Sequence, residues 1–179
     1  MNSTRFVLAA MVLGTALGSS QASAQGCIGI GSCNAVNTAS VSVGALVKLG
    51  MSSATTTLTN PTADNIDAGA TLQDAGPTFT VKANRSWTLK IKTSNATNWS
   101  YAGAGSGAKP IGDLAWATAA AGTYTAITAS DVTFASGASA TNGDALSSFF
   151  RTSWSSDFSS AGNVEGTYSL PIVFTLSAP

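Results

Sequence analysis

From Thr38 onward the chain alternates apolar and polar positions in short runs, with Gly, Asn, Asp and Ser clusters between them. The clearest run is Tyr168, Leu170, Ile172, Phe174 and Leu176, at every second position. A period of two sets all five on one face of a strand. Pro171 inside that run cannot donate to a ladder, so the strand is expected at a sheet edge or bulged there. Val41, Val43, Ala45, Val47 and Leu49 alternate in the same way and predict a first strand. Phe79 with Val81, and Trp87 with Leu89 and Ile91, predict two more. Setting Phe79 opposite Leu89 and Val81 opposite Trp87 makes them a hairpin around the loop Ala83-Asn84-Arg85, with Asn84 taking the turn. Further strands are expected at 113–117, 124–128, 132–135 and 149–154. Thr55 to Thr59 is rich in β-forming threonine, and Asn60 to Asn65 is turn chemistry. No window holds a capped helical period. Short strands at this spacing predict an all-β fold, a single antiparallel β-sandwich of Ig-like, Greek-key type.

Residues 1–24 have the form of a secretory signal peptide. Arg5 supplies the charge, Phe6 to Gly18 an apolar run too short to span a bilayer, and Ala22-Ser23-Ala24 a cleavage site. The expected organisation is a signal peptide at 1–24, a tail with a small disulfide loop at 25–37 and the sandwich at 38–179. No transmembrane segment is expected in the mature chain, which would be secreted or held at the cell surface. Cys27 and Cys33 are the only cysteines. An oxidising compartment makes them a disulfide, closing a short loop that contributes roughly 2–3 kcal/mol. Zinc is not expected, because no histidine or third cysteine completes a ligand set.

Charge changes the functional picture. Lys and Arg total 8, Asp and Glu total 8, and charged residues are 9% of the chain. So sparse a charge gives no basic face for a phosphate backbone, and nucleic-acid binding is not expected. Without histidine the commonest general base is missing, and no G-x-S-x-G elbow occurs. Enzymatic activity and a cofactor are therefore not expected. Gly103, Gly105 and Ala108 match a dinucleotide-binding pattern only loosely, since Lys109-Pro110 follows where a helix is required; a flexible loop is the better reading. Asp64, Asn65 and Asp67 offer clustered oxygens but lack the distal glutamate of a calcium loop, and a turn explains them. Among the aromatics, Trp87, Trp116 and Trp154 lie in strand-like runs and are expected in the core. Trp99 and Tyr101 flank the glycine-rich loop and are the candidates for an exposed platform that stacks on glycans. Lys82, Lys90 and Lys92, with Arg85 at the turn, are expected to line the wet face of the hairpin.

Ser86-Trp87-Thr88-Leu89-Lys90-Ile91 resembles the first W-x-L motif of WxL-type bacterial surface proteins. Phe174-Thr175-Leu176, followed by Pro179, is similar to their second, with Phe174 in place of tryptophan. The resemblance spans Val41 to Pro179 and implies a non-catalytic extracellular domain, with Trp87, Leu89, Phe174 and Leu176 as motif residues and a cell-wall polymer as partner. The expected function is thus a structural or binding protein of the cell surface. Two alternatives follow from the residues: a filament subunit that exchanges strands with copies of itself, and a carbohydrate-binding module using Trp99 and Tyr101.

Overall fold

The computed structural model describes residues 29–179. The expected signal peptide and Cys27 lie outside the described residues. The chain divides at Ser42/Val43 into two units. In the first, residues 29–42 carry no strand or helix and are exposed.

The second unit is an all-β antiparallel sandwich. In chain order it contains β1 (Val47–Met51), α1 (Ala63–Asp67), β2 (Thr71–Ala83), β3 (Trp87–Thr93), β4 (Ser100–Ala102), β5 (Leu114–Ala117), β6 (Thr125–Ala126), β7 (Val132–Gly137), β8 (Thr141–Ser153), β9 (Thr167–Ser169) and β10 (Ile172–Ser177). One sheet runs β1-β2-β8-β5-β6, the other β10-β3-β7, and β4 pairs with β9 in a small ribbon. Alternation does what period two demands. On β2, Phe79, Val81 and Ala83 are buried while Thr78, Thr80 and Lys82 are exposed. On β3, Trp87, Leu89 and Ile91 are buried. The sheets meet through aromatic rings: Phe79 of β2 contacts Phe134 of β7 and Phe174 of β10, and Trp116 of β5 contacts Phe134. Aromatics of this size bury the most apolar area per residue in such a core.

Four expectations are corrected. First, β2 and β3 are not a hairpin. β2 pairs with β1 and β8, whereas β3 pairs with β10 and β7. Ala83 to Ser86 therefore crosses from one sheet to the other. Alternation fixes which face a strand buries but leaves its partner open, so both arrangements satisfy the same pattern. Lys82 consequently lies on one sheet, with Lys90 and Lys92 on the other, and no single basic stripe forms. Lys92 pairs instead with Asp131 at 3.2 Å. Second, the first strand does not span 41–49; β1 starts at Val47, opposite Ala83, where β2 ends. Third, the last apolar run is broken at Leu170-Pro171: Tyr168 belongs to β9, and β10 begins at Ile172 as a sheet edge. Fourth, a short helix does form. Thr62 and Asn65 make a reciprocal capping box at α1, with Asn65 N donating to Thr62 Oγ1 at 3.2 Å and Thr62 N to Asn65 Oδ1 at 3.0 Å. Asn65 is thereby committed to the helix start.

Candidate functional site

β1 and β10 are edge strands on the same side of the sandwich. After Met51 the chain leaves its sheet, and residues 53–61 run on without regular structure. Between this stretch and the approach to β10 lies a groove of about 970 Å³. Leu58, Leu170, Ile172 and Phe174 give it apolar walls, and the buried Leu114 and Phe150 lie at its base. Along β10 the exposure alternates, with Ile172, Phe174 and Leu176 only half-buried. Among the described residues β10 pairs with β3 alone. This edge carries no charged residue.

One corner of the groove is polar. Thr152, Trp154, Asn163 and Lys109 all line it. Thr152 is 2% exposed, and its Oγ1 has no hydrogen-bond partner among the described residues. The same is true of Trp154 Nε1 and Asn163 Oδ1, although Asn163 Nδ2 donates to the carbonyls of Ser155 and Asp157 at 2.8 Å. Lys109 is the most buried charge among the described residues, 1% exposed. Its Nζ donates to Asp113 Oδ2 at 3.0 Å and to Ser153 O at 2.6 Å, and sits 4.0 Å from the Trp154 ring centroid. Burial lowers the lysine pKa, while the hydrogen bond and charge of Asp113 act in the opposite sense.

The segment ahead of β1 is held at one point. Beyond Ala83 the β2 backbone turns away, and the Asn84 side chain replaces it as a pairing partner. Its Oδ1 accepts from Leu46 N, and its Nδ2 donates to Gly44 O, both at 2.8 Å. The Asn84 backbone N–H also donates to Leu46 O at 3.2 Å. Among the described residues none other than glycine has positive φ, so Asn84 serves as a clamp and not as the positive-φ turn residue expected. Upstream of it, Val36 is exposed, Val41 is 91% and Val43 69% exposed, and the side chain of the clamped Leu46 is exposed as well.

The residues singled out in the sequence fall into three places. Trp87 and Leu89 are buried on β3, and β10 runs beside them, with Leu176 opposite Leu89 and Phe174 opposite Ile91. The two W-x-L-like motifs are thus cross-strand neighbours. Trp116 joins Trp87 in the core, while Trp154 is only half-buried at the groove. Trp99 is not an exposed platform. It is 8% exposed, and its Nε1 donates to Pro110 O at 3.0 Å. Tyr101 is half-buried against Tyr168, ring centroids 5.1 Å apart, with its hydroxyl donating to Glu165 O at 2.7 Å. The glycine-rich loop is packed around that ring, because a Cβ at Gly103 or Gly107 would overlap Tyr101. Desolvation, followed by the charge of Tyr101, raises the Tyr168 pKa. Cys33 is exposed, and the Cys27–Cys33 pairing lies partly outside the described residues. No group of three or more His, Cys, Asp or Glu side chains placed to hold a metal occurs among the described residues. No helix among them is long and apolar enough to cross a membrane.

Sequence reasoning missed Lys109, Thr152 and Asn163. Lys109 carries no sequence mark that separates a buried lysine from a solvated one. No family model matches this chain, and no curated protein matches it either.

Proposed function

We propose that this protein is a non-catalytic structural subunit of the cell surface, exported and assembled with copies of itself by strand exchange. In this reading residues 35–43 of one copy, ahead of its Asn84 clamp, lie along β10 of the next and fill its groove. A single observation carries it. An alternating apolar row, Val41 and Val43 foremost, stands exposed ahead of β1, and the same molecule carries an uncovered apolar sheet edge beside an open groove. An added strand would satisfy both at once, main chain pairing with main chain and alternate side chains entering the groove.

The test is a mature chain lacking residues 25–42, compared with residues 25–179 by light scattering over a concentration series. The shortened chain keeps β1 and the Asn84 clamp, so its circular dichroism should be unchanged. The intact chain should grow into large assemblies, and the shortened one should stay monomeric. A shortened chain that assembles as readily as the intact one overturns the reading.

Cell-wall association is the second reading, motivated by the adjacency of the two W-x-L-like motifs. Their inward side chains act as builders of the β10-β3 pair, so polymer contact would fall to other surfaces. Co-sedimentation of the mature protein with wall material tests it, and failure to sediment at any ionic strength would sink it.

A further inference from the structure

The charges of the sandwich are sorted by end. Along β2 the two ends stand about 40 Å apart, from Thr71 to Ala83. At the Ala83 end β1 begins, the chain crosses from β2 to β3, and β10 finishes. Lys48, Lys82 and Arg85 are exposed there. Asp144, opposite Val81, is the one anionic side chain near them among the described residues. At the Thr71 end, Asp64 and Asp67 sit on α1, and Asp157 and Glu165 lie between β8 and β9. All four are exposed. Trp154 N donates to Ala70 O at 3.0 Å, which ties the end of α1 to the chain that follows β8. The remaining charges leave this division intact. Lys92 with Asp131 and Lys109 with Asp113 are ion pairs. Arg151 is turned onto Gln73 and the Tyr124 ring, and Asp74 onto Thr59, while Lys90 lies midway along β3.

The basic end is unanswered within the monomer. Lys48 lies opposite Lys82 across β1 and β2, and like charges so placed destabilise a sheet. Guarding of the β1 edge accounts for Lys48. It does not account for Lys82, because β2 is an inner strand. Lys48, Lys82 and Arg85 form no ion pair among the described residues. An anionic partner would relieve them, and the molecule carries one at its other end.

Strand exchange brings the two ends within reach of each other. The chain ahead of β1 departs from the basic end, where Gly44 and Leu46 bond to Asn84 just past Ala83. The groove opens at the acidic end, and Glu165 is among the residues that line it. Copies joined tail to groove can abut basic end to basic end or basic end to acidic end. The former sets Lys48, Lys82 and Arg85 of both copies face to face; the latter cancels charge. We infer that copies dock end to end by charge, Lys48, Lys82 and Arg85 of one meeting Asp64, Asp67 and Glu165 of the next, so that the tail enters the groove from its acidic end. Exposed charges of this kind act on the rate of encounter more than on final affinity, and salt screens them.

This inference rests on the strand-exchange reading, so the experiment separates the two. Growth of light scattering from residues 25–179 is timed at about 10 mM and about 1 M salt, where charges are felt over about 30 Å and about 3 Å. Lys48→Glu with Lys82→Glu should slow assembly about ten-fold or more at low salt, and the gap from the intact chain should close at high salt. The double change keeps a like-charge pair, so circular dichroism and urea unfolding of the monomer should be unaltered. Adding Asp67→Lys and Glu165→Lys, whose carboxylates have no partner among the described residues, reverses the facing end and should restore the rate. No slowing at low salt, a slowing that salt does not relieve, or no recovery with both ends reversed overturns the end-to-end docking and leaves strand exchange standing. An intact chain that stays monomeric at both salts overturns strand exchange and the docking with it.

Discussion

Lys109 and Asp113 form an ion pair whose two ends sit in different media, and removing one end should cost far more than removing the other. The ammonium is 1% exposed; the carboxylate is 33% exposed. Asp113→Ala strands a cation in the core with only the Ser153 carbonyl and the Trp154 face beside it. Removing one partner of a buried pair typically costs about 3–5 kcal/mol. The folded chain has one escape, which is to release the proton. From an ordinary lysine value of 10.5, release at pH 7 costs about 1.36 kcal/mol per pH unit over the interval, or about 4.8 kcal/mol. The expected loss for Asp113→Ala is therefore about 3–5 kcal/mol, with that ceiling. Lys109→Met keeps most of the buried volume and leaves a carboxylate that water can reach. Its cost is the unanswered Ser153 carbonyl and a lost charged hydrogen bond, about 1–2.5 kcal/mol.

The pH dependence has a fixed sign. Burial holds the Lys109 pKa below its ordinary value, and Asp113 opposes that shift. Without Asp113 the folded chain sheds the proton at still lower pH, while the unfolded chain keeps it to near 10.5. Between those two values the unfolded state binds more protons, so stability rises with pH. The Asp113→Ala deficit should shrink from pH 7 to pH 9, by at most about 2.7 kcal/mol. Urea unfolding followed by tryptophan fluorescence at the two pH values measures both effects. A Lys109→Met loss as large as that of Asp113→Ala, or an Asp113→Ala loss that is the same at pH 7 and pH 9, refutes the reasoning.

Two further outcomes are expected. Asn84→Ala removes both amide hydrogen bonds to Gly44 and Leu46; it should cost about 1 kcal/mol and speed hydrogen exchange at the Leu46 amide, and an unchanged exchange rate there counts against the clamp. Gly137→Ala would drive a methyl into the buried Trp87 indole; a loss of about 1–3 kcal/mol should appear in urea unfolding, and a loss below about 0.5 kcal/mol would mean the sheet edge yields.

Local alternation was legible because burial on one face of a strand enforces it. Phe79, Val81, Trp87, Leu89 and Ile91 all face inward as their spacing requires. Strand pairing was not legible, because it depends on which edge a strand meets, and the chain changes sheets at Ala83 to Ser86 with no turn type that announces it. The start of β1 was lost for a related reason. Val41 and Val43 keep the period, but β2 has turned away before it can pair with them. Trp99 was misplaced because its neighbours are glycine-rich, and the loop they form packs inward around Tyr101. The groove was half-legible. Its apolar wall is the final alternating run, whereas its polar corner draws Lys109, Thr152 and Asn163 from three separate stretches that only the fold brings together.

What β10 lacks ties the fold to the proposed assembly. A bare edge strand is a template for pairing, and proteins that stay monomeric guard such edges with charges, proline, bulges or a covering segment. β10 carries Ile172, Val173, Phe174, Thr175, Leu176 and Ser177, with no charge, and Pro171 stands just before the strand, outside the exposed ladder positions. Charge is available elsewhere, for Lys90 and Lys92 lie on its neighbour β3, with side chains on the outer face. Charges there hydrate the sheet but do not block the edge. A covering segment would protect this edge, and residues 35–43, with Val41 and Val43 at alternate positions, have the alternation for that role. Val173→Lys tests the point. Its side chain is already exposed on the outer face, so a lysine there should leave the monomer folded while crowding an incoming strand. Assembly of the variant at wild-type rate would mean that the β10 edge is not the docking line.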